Sequence, residues 1–429
     1  MGNTLTTATV LMLLCSCGGG VNPRLPPTGG ASGNLGQAGS QNCGAGGSQT
    51  SAEPNVLDVV VDPGPKDSTC TPVGYTNGLF ASVTICVPGT TTCQTIDHLL
   101  VDTGSVGVRV LESLVTVPLP NANSASGQAL AECAPFVDGT AWGPLKTADV
   151  QIGGEAAAGL TIHLIGVDTF AMPADCTGTP QIDVQSVGSN GILGVGIFLQ
   201  DCGASCALSA RSASNPGLYY ACAGAACSIA SVPAAQQVSH PVASFPVDNN
   251  GVIIQLPGIS TSGAPSVPGR LIFGIGTQTN NGLGSATVFR LDSRGFFGTA
   301  FPVGGTTYNS ILDSGSNGIF FLDAATTKLT QCSGASNIWY CPSATTNLSA
   351  TILGTTGAGV GVNFSVINAS RLSNSAFAFS NLAGPMPGFP NNPAIPPFDW
   401  GLPFFFGRNI YTAIEGKTTP ADTGPFLAF

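Results

Sequence analysis

Charge is what this chain has least of. Lys and Arg number 12 and Asp and Glu 22 among 429 residues, 8% of the whole. With so few cations there is no basic stripe to neutralise phosphates, and a net charge of −10 argues against nucleic acid as a partner. Strong helix formers such as Glu, Lys and Arg are equally scarce, which excludes a helical architecture. The three histidines, His98, His163 and His240, show no metal-ligand spacing, and no His-Glu-x-x-His, Gly-x-Ser-x-Gly or phosphate-binding glycine loop occurs. Neither a metal nor an organic cofactor is therefore expected. What is abundant is Gly (58) and Pro (32), with Val, Ile and Thr. That composition predicts short strands joined by tight turns, an all-β fold large enough for two lobes.

The amino terminus reads as a targeting segment. Ala8 to Leu14 is a short apolar run, too short to span a bilayer. It is followed by Leu14-Cys15-Ser16-Cys17-Gly18, which resembles a bacterial lipobox with Cys17 as the lipidated residue, although the run lacks the usual preceding Lys or Arg. Residues 1–17 are thus expected to be a lipoprotein signal. Residues 18–56, rich in Gly, Ser, Ala, Asn and Pro, would be a tether reaching roughly 35 Å as a random coil. The corresponding expectation is an exported, monomeric protein held to the bacterial cell envelope, at the outer membrane, by its lipid. The remaining cysteines are even in number, so disulfides are expected. Cys86 and Cys93 flank a Pro-Gly turn, and Cys332 and Cys341 are close enough to close a local loop. Cys202, Cys206, Cys222 and Cys227 have spacings that suit disulfides better than zinc. Cys43, Cys70, Cys133 and Cys176 have no partners deducible from the sequence.

Beyond about Tyr75 the pattern is strand, turn, strand. Phe80 to Cys86 alternates apolar and small polar residues, and Lys146–Ile152, Gly153-Gly154 and Leu160–Val167 read as a hairpin. Residues 200 to 250 look like an irregular insertion rich in Cys and Pro. A second series of strands starts at Gly269–Gly274. Two halves follow, 57–265 and 266–429, and each carries one copy of a short motif. Val101-Asp102-Thr103-Gly104-Ser105-Val106-Gly107 is echoed by Leu312-Asp313-Ser314-Gly315-Ser316-Asn317-Gly318, with an apolar lead-in each time. A single Asp-Ser/Thr-Gly is usually a turn. Two copies sharing a lead-in, a Ser at the third position after Asp and a Gly at the fifth point to two carboxylates meant to meet.

Two carboxylates within hydrogen-bond distance cannot both ionise easily, so the pair holds one proton over a wide pH range. The ionised member can activate a water while the protonated member polarises a carbonyl. The candidate catalytic pair is Asp102 and Asp313. Thr103 and Ser314 are placed to fix the two turns against each other. Gly104 and Gly315 let backbone N–H groups approach, and Ser105 and Ser316 can donate to the carboxylates.

On these motifs the chain resembles the pepsin-like aspartic peptidases. Asn190-Gly191-Ile192-Leu193-Gly194-Val195-Gly196 is similar to the apolar-apolar-Gly strand that threads behind the first aspartate loop in that family. Phe404-Phe405-Phe406-Gly407 is similar to its second-lobe equivalent. Phe136-Val137-Asp138-Gly139-Thr140, leading to Ala148–Gly154, is similar to the flap hairpin, and the similarity runs from about residue 70 to 420 in the expected order. With the lipobox it suggests a bacterial lipoprotein branch. The resemblance implies a bilobal all-β fold with the cleft between lobes, and hydrolysis of peptide bonds without a cofactor. The substrate would be a peptide or protein under the 136–145 hairpin, its apolar side chains meeting Phe320 and Phe321.

The pattern also departs from the family. The usual flap tyrosine and its tryptophan partner, seven residues after the first aspartate, correspond here to Phe136 and Arg109; Trp142 is the candidate substitute in the flap. The departure leaves a second reading open, a catalytically weak or inactive module that binds its ligand. Asp323 and Asp399 are expected in turns or at the surface.

Overall fold

The structure, a computed structural model, describes residues 53–429 except 303, 304, 358, 393 and 394. The signal segment, Cys17 and most of the proposed tether lie outside the described residues. Val56, placed by composition at the tether's end, already opens the first strand.

The strands of the first half are β1 (Val56–Asp62), β2 (Gly78–Cys86), β3 (Cys93–Asp102), β4 (Val106–Leu111), β5 (Ala129–Pro135), β6 (Thr140–Ile152), β7 (Glu155–Ile165), β8 (Pro180–Gln181) and β9 (Gly191–Val195). The stretch read as an irregular insertion contains a hairpin, β10 (Tyr219–Ala223) and β11 (Ala226–Ile229), before β12 (Gly251–Leu256) and β13 (Val267–Phe273). The second half adds β14 (Val288–Arg290), β15 (Phe297–Phe301), β16 (Thr306–Asp313), β17 (Ile319–Phe321), β18 (Thr346–Leu353) and β19 (Gly359–Val366). It ends with β20 (Ala383–Gly384), β21 (Phe398–Gly401), β22 (Arg408–Ala413) and β23 (Phe426–Ala428). The only α-helices among the described residues are two single turns, as the shortage of helix formers requires.

Two sheets carry these strands. The larger runs β11-β10-β5-β6-β7-β4-β9-β3-β2-β1-β13-β12-β22-β23-β14, with β8 on β6; the smaller runs β19-β18-β15-β16-β21-β17-β20. Strands that join both layers of the core, such as β4 and β9, are buried at every position, while β19 keeps the alternation of a strand with one wet face. The second half packs around an aromatic cluster in which Phe301, Phe321, Phe364, Phe398 and Trp400 meet ring to ring. Phe321 is fully buried there, so it lines no cleft; Phe320 is half-buried and packs on Trp339.

One arrangement occurs twice. β9 runs parallel to β3 with Gly194 opposite Asp102, and antiparallel to β4. β21 runs parallel to β16 with Gly401 opposite Asp313, and antiparallel to β17. Each glycine is forced by close approach: a Cβ at Gly194 would lie 2.6 Å from the Val106 carbonyl carbon, and one at Gly401 would lie 2.1 Å from the Gly318 oxygen. The strand behind the second loop is therefore Phe398–Gly401 and not Phe404–Gly407, which the apolar pattern favoured. Leu402–Phe404 is a 3-10 turn, and β22 belongs to the other sheet beside β12 and β23. Asp399 breaks the apolar run of the true strand, which hid it.

The disulfides Cys86–Cys93 and Cys332–Cys341 form as the spacing suggested, and Cys202–Cys206 and Cys222–Cys227 resolve the four-cysteine cluster. Of the cysteines the sequence left unassigned, Cys133 bonds Cys176, and Cys43 lies outside the described residues.

Candidate active site

β3 and β16 each deliver an aspartate from the end of a buried strand, and both carboxylates are fully buried. The turn after each aspartate folds back on its own carboxylate. Gly104 N–H donates to Asp102 Oδ1 at 2.8 Å and Gly315 N–H to Asp313 Oδ1 at 2.8 Å. Ser105 Oγ donates to Asp102 Oδ2, and Ser316 Oγ lies 2.9 Å from Asp313 Oδ2. Gly315 admits no side chain, because a Cβ would stand 2.6 Å from Asp102 Oδ1.

The two turns are locked by reciprocal hydrogen bonds. Thr103 N–H donates to Ser314 Oγ (3.0 Å) and Ser314 N–H to Thr103 Oγ1 (2.9 Å). Each hydroxyl then donates across to a carbonyl preceding the other aspartate: Thr103 to Leu312 (3.0 Å), Ser314 to Val101 (2.7 Å). Four buried backbone groups are satisfied in this way, and the carboxylates are held side by side. A hydrogen bond joins Asp313 to Asp102, and burial together with the charges of Asp102 and Asp399 raises the Asp313 pKa well above the usual carboxylate range. Such a pair carries one proton between two acids. All eight loop residues singled out by the sequence are brought together here.

A further clamp was invisible in the sequence. Asn77, fully buried at the entry to β2, donates to the carbonyls of Asn317 (2.8 Å) and Phe379 (3.0 Å) and accepts from Phe379 N–H (2.6 Å). It ties the first half to the loop of the second aspartate.

The hairpin β5–β6 has its tip at residues 136–139, closed by Phe136 N–H to the Gly139 carbonyl (2.7 Å), with Asp138 half-buried. The Arg109 guanidinium carbon sits 5.9 Å from the Phe136 ring centroid. The two positions that depart from the family pattern thus still meet, as a cation against an aromatic face. Trp142 takes no part in that contact. It is buried against Tyr220, and its indole N–H donates to the Phe170 carbonyl at 2.8 Å.

Nor is the hairpin a free ribbon. β10 pairs with β5, β8 pairs with β6, and the disulfide Cys133–Cys176 fastens β5 to the loop between β7 and β8. Glu132 of β5 belongs to a cluster of buried charge. Arg109 contacts Glu132 (2.9 Å) and Asp201 (3.0 Å), His163 stands 3.2 Å from Glu132, and Tyr219 donates to Asp201 at 2.5 Å. Burial and Glu132 push Asp201 well up, so it stays a neutral acid. Burial drives the His163 pKa down to about 4, leaving a neutral imidazole. Burial alone would raise Glu132, but the Arg109 charge, the adjoining His163 and hydrogen bonds from Asp201 and Arg109 together outweigh it and hold this carboxylate below its ordinary value. One cation therefore faces one anion. An arginine inside Val106–Leu111 was the sequence signal, since a buried guanidinium demands buried carboxylates.

Of the two other acids, Asp323 caps a helical turn by accepting from Thr326 N–H (2.7 Å). Asp399 is neither in a turn nor at the surface: it is buried in β21, with Oδ2 2.6 Å from Ser316 Oγ. No group of His, Cys, Asp and Glu among the described residues is arranged to hold a metal.

The sequence profile of a family described as a protein of unknown function, DUF3443, matches residues 51–429. No curated protein matches the chain by sequence. Among solved structures, the crystal structure of aspartic proteinase from Irpex lacteus superposes with a TM-score of 0.50 at 15% identity, covering 87% of this chain and 96% of that one. The fold is that of the pepsin-like proteins, all-β and bilobal.

Proposed function

The chain belongs to the DUF3443 family, and on that footing we propose that it is an aspartic-type endopeptidase in which Asp102 and Asp313 jointly activate water against a peptide carbonyl. The observation that carries this reading is the reciprocal bonding of Thr103 and Ser314, which leaves two buried carboxylates sharing a hydrogen bond. That arrangement costs stability, and such costs concentrate at functional sites. The ionised member acts as general base and the protonated member as acid, and the roles exchange as the tetrahedral intermediate collapses. The peptide lies in the cleft beneath the β5–β6 hairpin.

A second reading has its own support. The hairpin is built into a wider sheet and fastened by Cys133–Cys176, which suits a fixed groove that binds a peptide without turning it over. One experiment separates the two. The protein is incubated with a denatured protein across about pH 3 to 7, with and without a statine-containing inhibitor. Inhibitable cleavage that disappears in Asp102→Asn and Asp313→Asn supports the peptidase. Cleavage surviving in both variants overturns the dyad, and inhibitor binding without cleavage favours the binding module. The lipobox-like run and the disulfides support placing the protein outside the cytoplasm, anchored through Cys17. Loss of fatty-acid labelling in Cys17→Ser checks that anchor.

A further inference from the structure

Ser316 stands between two carboxylates with one proton to give. Its Oγ is 2.9 Å from Asp313 Oδ2 and 2.6 Å from Asp399 Oδ2. A hydroxyl donates once. If both acids were ionised, one of those contacts would set lone pair against lone pair. Both contacts are hydrogen bonds only if one of the two carboxyls brings a proton of its own to Ser316.

The surroundings of Asp399 decide which. It is 5% exposed, its Oδ1 has no hydrogen-bond partner, and its neighbours across the sheet are Ile311 on β16 and Phe320 on β17. The charged groups that act on it are Asp313 and Asp102, both acids; no Lys, Arg or His among the described residues offsets a charge there. Burial first, and Asp102 after it, raise its pKa to about 8, against the opposing pull of the Ser316 hydroxyl. An anion in that position would be unpaired. The first loop offers no parallel. Counting back from the matched glycines, the position corresponding to Asp399 on β9 is the apolar Ile192, while Ser105 donates to Asp102.

We propose that Asp399 is a neutral positioning acid that donates to Ser316, commits the Ser316 proton to Asp313, and sets the upper pH limit of the site. The proposal rests on the dyad reading given above. Once Asp399 ionises, Ser316 loses the donor that engages its oxygen and has its single proton drawn to Asp399 as well as to Asp313, so the hydrogen bond that orients Asp313 is no longer secured.

The test follows the protein labelled with 13C at aspartate Cγ, using Asp399→Asn to assign its resonance. Expected is a carboxyl that keeps its protonated chemical shift through neutral pH and vanishes in the variant. A resonance titrating near the ordinary aspartate value overturns the proposal, whether or not the protein cleaves anything. In parallel, the pH dependence of statine-inhibitor binding and of cleavage is compared in the wild type and Asp399→Asn, whose amide still donates to Ser316 but never ionises. The midpoint of the alkaline limb is expected to rise by at least about one pH unit. An unchanged limb overturns the role assigned to Asp399. Absence of binding and cleavage in every form removes the dyad reading instead, and the titration still decides the protonation of Asp399.

Discussion

Arg109 and Phe136 face each other between strand β4 and the tip of the β5–β6 hairpin, the guanidinium carbon 5.9 Å from the ring centroid. The same guanidinium neutralises Glu132 and contacts Asp201 below. A desolvated cation–π contact is worth about 2 kcal/mol, whereas an abandoned buried charge costs about 3–5 kcal/mol. The hairpin is thus held mainly by charge.

Arg109→Met is accordingly expected to lower stability by about 3–5 kcal/mol in urea unfolding. Adding Glu132→Gln should recover part of that loss, since the orphaned anion is then gone. A double variant no more stable than Arg109→Met alone would place the loss in packing and not in charge.

Thr103 and Ser314 form a closed cycle, so their substitutions should not add. Each alanine leaves a buried backbone N–H unpaired and is expected to cost about 1–3 kcal/mol. The double variant should cost less than the sum, with a coupling of about 0.5–3 kcal/mol. Full additivity in denaturant titrations would contradict the reciprocal bonding.

His240 gives a pH signature. Its Nε2 lies 3.0 Å from the Gly196 carbonyl and its Nδ1 accepts from Ala243 N–H at 3.3 Å, a pattern only the neutral ring satisfies. Burial lowers its pKa from 6.5 to about 4. In that window the unfolded chain binds the extra proton, so the stability this group contributes is lost as pH falls from about 6.5 to 4. His240→Gln lacks that loss. The stability gap between wild type and variant should shift in the variant's favour by on the order of 3 kcal/mol across the window, read from urea midpoints at both ends.

The disulfide Cys133–Cys176 closes a sequence separation of 43 residues. Removing it with a Cys133→Ala, Cys176→Ala pair is expected to cost about 4 kcal/mol. Amide exchange should quicken across residues 129–145 before it does elsewhere. Unchanged exchange there would show that β8 and β10 suffice to hold the hairpin.

What the sequence displayed and what it concealed follow one rule. Asp102 and Asp313 were legible because each ends an apolar strand and opens a turn, two local signals that coincide. The cleft-side pairing of Thr103 with Ser314 follows from the same repeat. Asp399 was concealed because Phe-Asp-Trp-Gly does not look like a buried strand, while the apolar Phe404–Gly407 does and is not in that place. Glu132 and Asp201 carry no periodic signal, since their partner Arg109 is distant in the chain. The β10–β11 hairpin was masked by cysteines and prolines that read as irregular loop, and Trp142 by its nearness in sequence to the hairpin tip.

The position of β1 has a mechanical consequence. It enters the large sheet between β2 and β13, bonded on both edges, with Val56 to Val61 in register against Ile272 to Val267. Tension transmitted through the residues preceding Val56 acts along this strand and loads both ladders in shear. Hydrogen bonds loaded in parallel break together, so a pull from the amino-terminal side is resisted by the whole interface at once.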